Sequence, residues 1–454
     1  MKKTWQQLFI RQGFQLQEEN GVFNCLQETE TNKAFLLRSL DALHVEYKYD
    51  RLSLEISTPA VSEKMWLAVI DGPERKGYGD VWFEPGVDEL ELYGLDTYIS
   101  GIVREFNRLG LQTTMSCDGH NGRRTTFVLF VREEDAQTAT KILNAIGIKA
   151  RSRASQVNIF SDRRELLDAA ETLHTLDKES INDMKAVQRQ LFHNSLENLL
   201  SISGASENEE AIREYVKEQL TPYVDHITVD PAGNLLAQKT YGHGPTILLN
   251  AHLDTYEEFE PGRVIQKQGN IWSSSKGILG ADDRAGIAVL LAVAKRLHLR
   301  ERKFRGTIKF IFTVKEEIGL CGAKQVDETF LWGVNAAIVV DRRGKGDIVT
   351  SCGNTQLFCT PEYGAFFEEV AAAEGLKGWK CTQGGSSDTR IWAEHGIPSV
   401  NLSVGYQNEH TDRESLDVEA CYETFELVCG ILAQSVDLYR IANGRGRIVN
   451  RVLR

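Results

Sequence analysis

The sequence predicts an α/β catalytic domain over residues 185–454, with a central, mostly parallel sheet flanked by helices, and a smaller α+β domain over residues 1–180. Three observations carry this. Apolar strand-like runs alternate with helical stretches through the second half of the chain, the pattern of a sheet covered on both faces. Five of these runs or helix entrances deliver a carboxylate or an imidazole just past their ends. The first 180 residues show no such groups, and 454 residues suffice for two to three domains.

Thr246-Ile-Leu-Leu-Asn250 reads as a buried strand running into His252 and Asp254. Residues two apart in extended chain share a face, so Asp254 is placed to orient the His252 ring and leave its other nitrogen for a metal. Gly280-Ala-Asp-Asp-Arg-Ala-Gly286 opens an apolar helix from Ile287 to Ala294. A charge at the mouth of a buried helix is costly unless it is paired or metal-bound, although Asp282 could also serve as a plain helix cap. The strand Gly306 to Thr313 leads to Glu316-Glu317, Ala336 to Val340 ends at Asp341, and Pro398 to Val404 is followed by His410. In open α/β sheets, ligands bind beyond the carboxyl ends of the strands. Two His with Asp and Glu suit zinc, cobalt or manganese. Five ligands exceed the three of one catalytic zinc and fit two cations sharing a carboxylate.

His252-Leu-Asp254, Gly280-Ala-Asp-Asp-Arg-Ala-Gly286, Glu316-Glu-Ile-Gly319, Asp341, Gly384-Gly-Ser-Ser-Asp388 and His410-Thr411 together resemble the co-catalytic, di-zinc metallo-exopeptidase superfamily, with its peptidase T-like and zinc aminopeptidase-like members. The resemblance covers about the last 260 residues. It implies His252 and Asp341 as ligands of one metal, Glu317 and His410 of the other, Asp282 as the bridge, Glu316 as general base and Asp254 as the orienter of His252. It also implies a cis peptide at Asp282-Asp283. Many members insert a lid or dimerisation domain. Here 30 residues separate His252 from Asp282 and 69 separate Asp341 from His410, which leaves no room for one.

The implied cofactors are two divalent ions per chain, zinc first and cobalt or manganese as alternatives. The expected activity is amide hydrolysis, as an aminopeptidase on short peptides. An amidase or deacylase on N-acyl amino acids is the nearest alternative, and a non-catalytic binding protein on the same fold the more distant one. The glycines of Gly384 to Asp388 allow close backbone approach and suggest a pocket wall.

A net charge of −12 argues against nucleic acid or anionic membranes as partners. The first residues lack the apolar stretch of a secretory signal. Eight cysteines without a C-x-x-C pair read as free thiols in a reducing compartment. A cytoplasmic protein, with homo-oligomerisation open to it, is the expectation.

In the N-terminal part, Arg51 to Ile56 alternates like a strand. A helix around Ile99 to Leu109, strands at Leu111 to Met115 and Thr125 to Val131, a helix from Glu133 to Ile146 and a strand at Ile148 to Arg151 suggest a ferredoxin-like module. The turn Cys117 to Arg124 reads as a hairpin loop, or as a polar arm toward a substrate carboxylate. No internal repeat is visible. Ser206 and Glu209 match a capping box opening a helix from Asn208 to Leu220. A helix from about Asp417 to Tyr439 and a basic tail, Arg440 to Arg454, close the chain.

Overall fold

The computed structural model describes residues 3–19, 21–72, 75, 83–299, 303–353 and 355–444. The basic tail beyond residue 444 lies outside them. The chain forms two compact units, residues 1–191 and 192–454, and the helix Met184–Leu200 runs across that division. No helix among the described residues is long and apolar enough to cross a membrane.

The second unit is built on a mixed nine-stranded sheet. Its centre is parallel: Ser399–Ser403, Val334–Arg342, Thr246–His252 and Thr307–Thr313 lie side by side in that order. The flanks are not, because Leu235–Thr240 pairs antiparallel with Thr307–Thr313 and Asp347–Cys352 pairs antiparallel with Ser399–Ser403. The parallel character expected from the sequence thus holds for the buried core and gives way at the edges, where the short connections 241–245 and 343–346 reverse the chain between strands that are not neighbours in the sheet. Alternation fixes the two faces. Ile247, Leu249 and Ala251 enter the large apolar core, whereas Leu248 enters a smaller one with Ile311, Val339 and Trp392.

The helix Ala281–His298 covers the first face. Gly286 lets it approach: a Cβ there would stand 2.1 Å from the Val340 carbonyl. The stretch between His252 and Asp282, where a lid would sit, holds only the hairpin Ile265–Gln268 and Ile271–Ser274, extended by Ser415–Asp417 and Tyr406–Gln407 into a small sheet.

The first unit contains an arrangement that sequence patterning did not reveal. Its chain runs helix, two strands, helix, two strands, helix, and then repeats that order. The first copy comprises Trp5–Arg11, Gln17–Glu19, Val22–Asn24, Glu30–Ala42, Tyr47–Tyr49, Ser53–Ile56 and Glu63–Ile70; the second comprises Ser100–Arg108, Thr113–Cys117, Thr126–Phe130, Glu133–Ala145, Ala150–Arg153, Gln156–Ile159 and Arg163–His174. Each copy forms one antiparallel four-stranded sheet in the order first, second, fourth, third.

The match extends to single residues. Phe9-x-Arg11-x-Gly13-x-Gln15 reappears as Phe106-x-Arg108-x-Gly110-x-Gln112. Both glycines are left-handed, at φ 85° and 88°, and both Phe carbonyls accept the amide five residues on. Leu40, Val45 and Leu54 correspond to Leu143, Ile148 and Val157, all buried. The left-handed positions His44 and Arg51 correspond to Gly147 and Ala154. This replaces two sequence expectations. The unit is a tandem repeat, and each half is made of paired hairpins rather than the strand-helix-strand connections of a ferredoxin-like module. Buried positions keep their apolar class but seldom their identity, so no fixed-period signal stands out in the sequence.

Candidate metal centre

The four parallel strands point their carboxyl ends the same way, and the polar groups collect there. His252 is the last residue of its strand. Its Nδ1 lies 3.0 Å from the Asp254 carbonyl oxygen, which can only accept, so Nδ1 carries the proton. Nε2 faces Asp282 Oδ1 at 3.0 Å and Asp341 Oδ1 at 3.6 Å. Burial would lower the ring's pKa, but Asp254, Asp282 and Asp341 raise it well above its usual range, and a cation would take the place of the Nε2 proton. His410 Nε2 likewise faces Glu317 Oε1 at 2.9 Å and Asp282 Oδ2 at 3.3 Å. Asp282 therefore presents one oxygen to each imidazole. The five groups selected as ligand candidates from the sequence come together around a shared carboxylate.

These spacings fit divalent cations. Tetrahedral nitrogen and oxygen ligands about 2.0–2.2 Å from zinc stand about 3.3–3.5 Å apart, close to the distances here. The charge balance agrees. Burial pushes the Asp283 carboxyl well above its usual range, with Asp341 and Asp282 adding to it. Burial also lifts Glu316 to about 10, and Asp341, Asp388 and Asp282 reinforce the rise against the pull of His252. Asp388 stands at about 7 for the same first reason. Burial would raise Asp282 too, but His252 and His410 hold it below its ordinary value. In return Asp282 and then Glu317 raise His410 to about 10. Arg284, the nearby buried cation, has its donors on the carbonyls of Ile202 and Leu253. Once both imidazoles are neutral, as metal ligation requires, carboxylates packed this closely need another positive charge between them.

Local structure aims each group. The Asp282–Asp283 peptide is cis, and neither residue has helical dihedrals. Capping of the helix falls to Asp283, whose Oδ1 accepts the Gly286 amide at 3.0 Å and whose Oδ2 accepts the His252 amide at 3.1 Å. Asp282 is thereby released from the capping role that its position had also allowed.

Asp254 meets several groups besides His252. Its carboxylate lies 3.4 Å from the ring, and it accepts the amides of Glu316 at 3.0 Å and Glu317 at 3.1 Å. It also accepts the Ser206 hydroxyl at 2.6 Å. The capping box expected of Ser206 and Glu209 is absent, because Glu209 itself is the N-cap residue and Ser206 lies outside the helix. A buried carboxylate takes the hydroxyl, Glu209 accepts the amides of Glu207 and Lys315, and the helix begins at Glu210.

Three further groups escaped sequence reasoning. Glu414 accepts the amides of Gly280 at 2.7 Å and Asp282 at 3.1 Å, fixing the turn that presents Asp282. Asp388 accepts the Thr313 hydroxyl at 2.5 Å and leaves its other oxygen unpartnered and buried. Tyr256 stacks on His410. Only Asp388 carried a local signal, in Gly384 to Asp388; the other two meet the site through folds of the chain.

Residues 259–427 match the family model for M42 glutamyl aminopeptidases. That stretch contains Asp282, Glu316, Glu317, Asp341 and His410 and begins after His252. An uncharacterized Bacillus subtilis protein, YqjE, is 26% identical, with 46% of this chain and 86% of the relative covered. A putative aminopeptidase of Acetivibrio thermocellus is 27% identical, with 48% and 92% covered. Aminopeptidase PepT from Bacillus cereus superposes with a TM-score of 0.49 at 21% identity, over 54% of this chain and 98% of that one. By the family match and the motif order that frames it, the second unit is similar to the zinc-exopeptidase-type superfamily of metal-dependent peptidases.

Proposed function

We propose that the second unit is an aminopeptidase acting on short peptides and using two divalent cations, zinc by preference. The observation that carries this is the pair of imidazoles, each with Nε2 turned between two carboxylates, sharing the two oxygens of Asp282. His252 and Asp341 would hold one cation, Glu317 and His410 the other, and Asp282 both. The match to the M42 glutamyl aminopeptidase model and the likeness to a putative aminopeptidase support the substrate class.

When bound, such cations polarise the scissile carbonyl and acidify a water between them. Glu316 and Glu317 are successive, so their side chains diverge, and Asp254 holds both of their amides in place. Glu317 turns to His410. Glu316 is left as the general base, taking the proton of the attacking water and passing it to the leaving amine. Glu414 and Asp283 fix the backbone on either side of the shared carboxylate.

A panel of aminoacyl and N-acyl chromogenic substrates, assayed with zinc, cobalt and manganese in turn, tests the reading. Turnover of aminoacyl substrates with a free amino terminus is expected. Turnover of N-acyl substrates alone would transfer the site to amidase chemistry, and no turnover with any metal would remove the proposal.

A further inference from the structure

The two copies in the first unit differ at one hairpin. In the first copy Glu19 pairs with Val22, so two residues close the turn. In the second, Cys117 pairs with Phe127, and a loop runs between them. Nine residues lie between Cys117 and Phe127 against two between Glu19 and Val22, so this hairpin is seven residues longer in the second copy. The first copy shows that the sheet closes without them.

The longer loop is tightly made. Asp118 Oδ1 accepts the His120 amide at 2.8 Å, and the Asp118 amide donates to Asp96 Oδ2 at 3.0 Å. The Gly119 amide donates to Cys117 Sγ at 3.4 Å. Arg163 reaches Asp118 at 3.1 Å while lying over the Tyr98 ring. His120 and Asn121 both sit at positive φ, a conformation that costs free energy away from glycine.

The loop thereby brings three donors of different chemistry together. Asp96 and Cys117 are buried, and His120 is about one-third exposed. One ligand atom from each lies within 4.8 Å of the other two. His120 Nε2 stands 3.8 Å from Asp96 Oδ2, too far for a hydrogen bond. Tetrahedral zinc with sulfur, nitrogen and oxygen ligands sets its donors about 3.3–3.6 Å apart, so the His120 and Asp96 donors need close by only a few tenths of an ångström.

We propose that Asp96, Cys117 and His120 form a second, separate cation site, of the zinc class, in the first unit. The thiolate and imidazole select zinc or cobalt over magnesium and calcium. Three protein ligands and a partly exposed histidine leave the fourth position to water.

Cobalt distinguishes this site from the one in the second unit, where all the proposed ligands are imidazole and carboxylate. The full chain is stripped with a chelator and titrated with Co2+. A thiolate-to-cobalt charge-transfer band should rise in the near ultraviolet and level off, by three equivalents, at the amplitude of one thiolate-bound Co2+ per chain. Cys117→Ser should abolish it and lower the zinc content by one ion per chain, while turnover of an aminoacyl substrate is retained. His120→Ala, on an exposed loop, should keep the fold and raise the Co2+ concentration for half-saturation by about tenfold or more. Absence of the band in the unmodified chain, or its persistence in Cys117→Ser, overturns the proposal. If Cys117→Ser fails to fold, an unshifted titration of His120→Ala overturns it alone.

Discussion

The ring of Tyr256 lies flat on the imidazole of His410, with centroids 4.4 Å apart and planes 13° from parallel. His410 is the most exposed of the five candidate ligands and is presented by a loop at positive φ, so the stack adds a restraint on the ring face to the contacts that Nε2 makes with Glu317 and Asp282. Stacked pairs are worth about 0.5–1.5 kcal/mol. Tyr256→Ala should therefore weaken the His410 side of the centre about two- to tenfold, read as the zinc or cobalt concentration for half-maximal activity. An unchanged titration would show that Tyr256 does not position His410.

Glu316 and Glu317 should separate cleanly. Glutamine keeps the size of the side chain but accepts no proton. Glu316→Gln should retain metal and stability and lose about 10²- to 10⁴-fold in kcat. Glu317→Gln should lose metal affinity first, since it removes a charged ligand. Metal content and kcat on both variants decide it; activity within a few-fold of the unmodified chain for Glu316→Gln would reverse the two roles.

Asp282→Asn should weaken both cations, because each imidazole faces one of its oxygens. His410→Ala should weaken mainly one. Metal counting under saturating zinc should give two ions in the second unit. A count of one there refutes the shared-bridge reading.

Glu414 acts through Asp282 rather than on substrate. Glu414→Gln replaces one of two accepting oxygens with an amide donor, so either the Gly280 or the Asp282 amide loses its partner. The expected result is a fall in kcat or metal affinity of about 10- to 100-fold, with KM little changed and the fold intact by circular dichroism. Full activity would make Glu414 a dispensable brace.

Gly286→Ala tests the contact between the helix and the sheet. The added carbon would lie 2.1 Å from the Val340 carbonyl and 2.4 Å from Asp283 Oδ1. Overpacking of this kind costs about 1–3 kcal/mol, and thermal unfolding should shift down by several degrees. Because Asp283 also holds His252, activity should fall beyond what the loss of stability explains. A Tm equal to that of the unmodified chain would contradict the close approach.

The sequence by itself determined the parallel centre of the second unit and the candidate metal centre. Each buried strand there is a continuous apolar run, and each donor follows directly at its end, so local pattern and site coincide at His252, Glu317 and Asp341. Tertiary structure alone decided who supports those residues. Asp283 rather than Asp282 caps the helix because the backbone turns between them. Ser206 donates to Asp254 and caps no helix, because the helix begins only at Glu210. Glu414 and Tyr256 reach the centre through loops whose course no periodicity encodes. The repeat in the first unit was hidden for a related reason: the fold preserves burial, hydrogen bonds and the sign of φ at corresponding positions, and many different side chains satisfy those constraints.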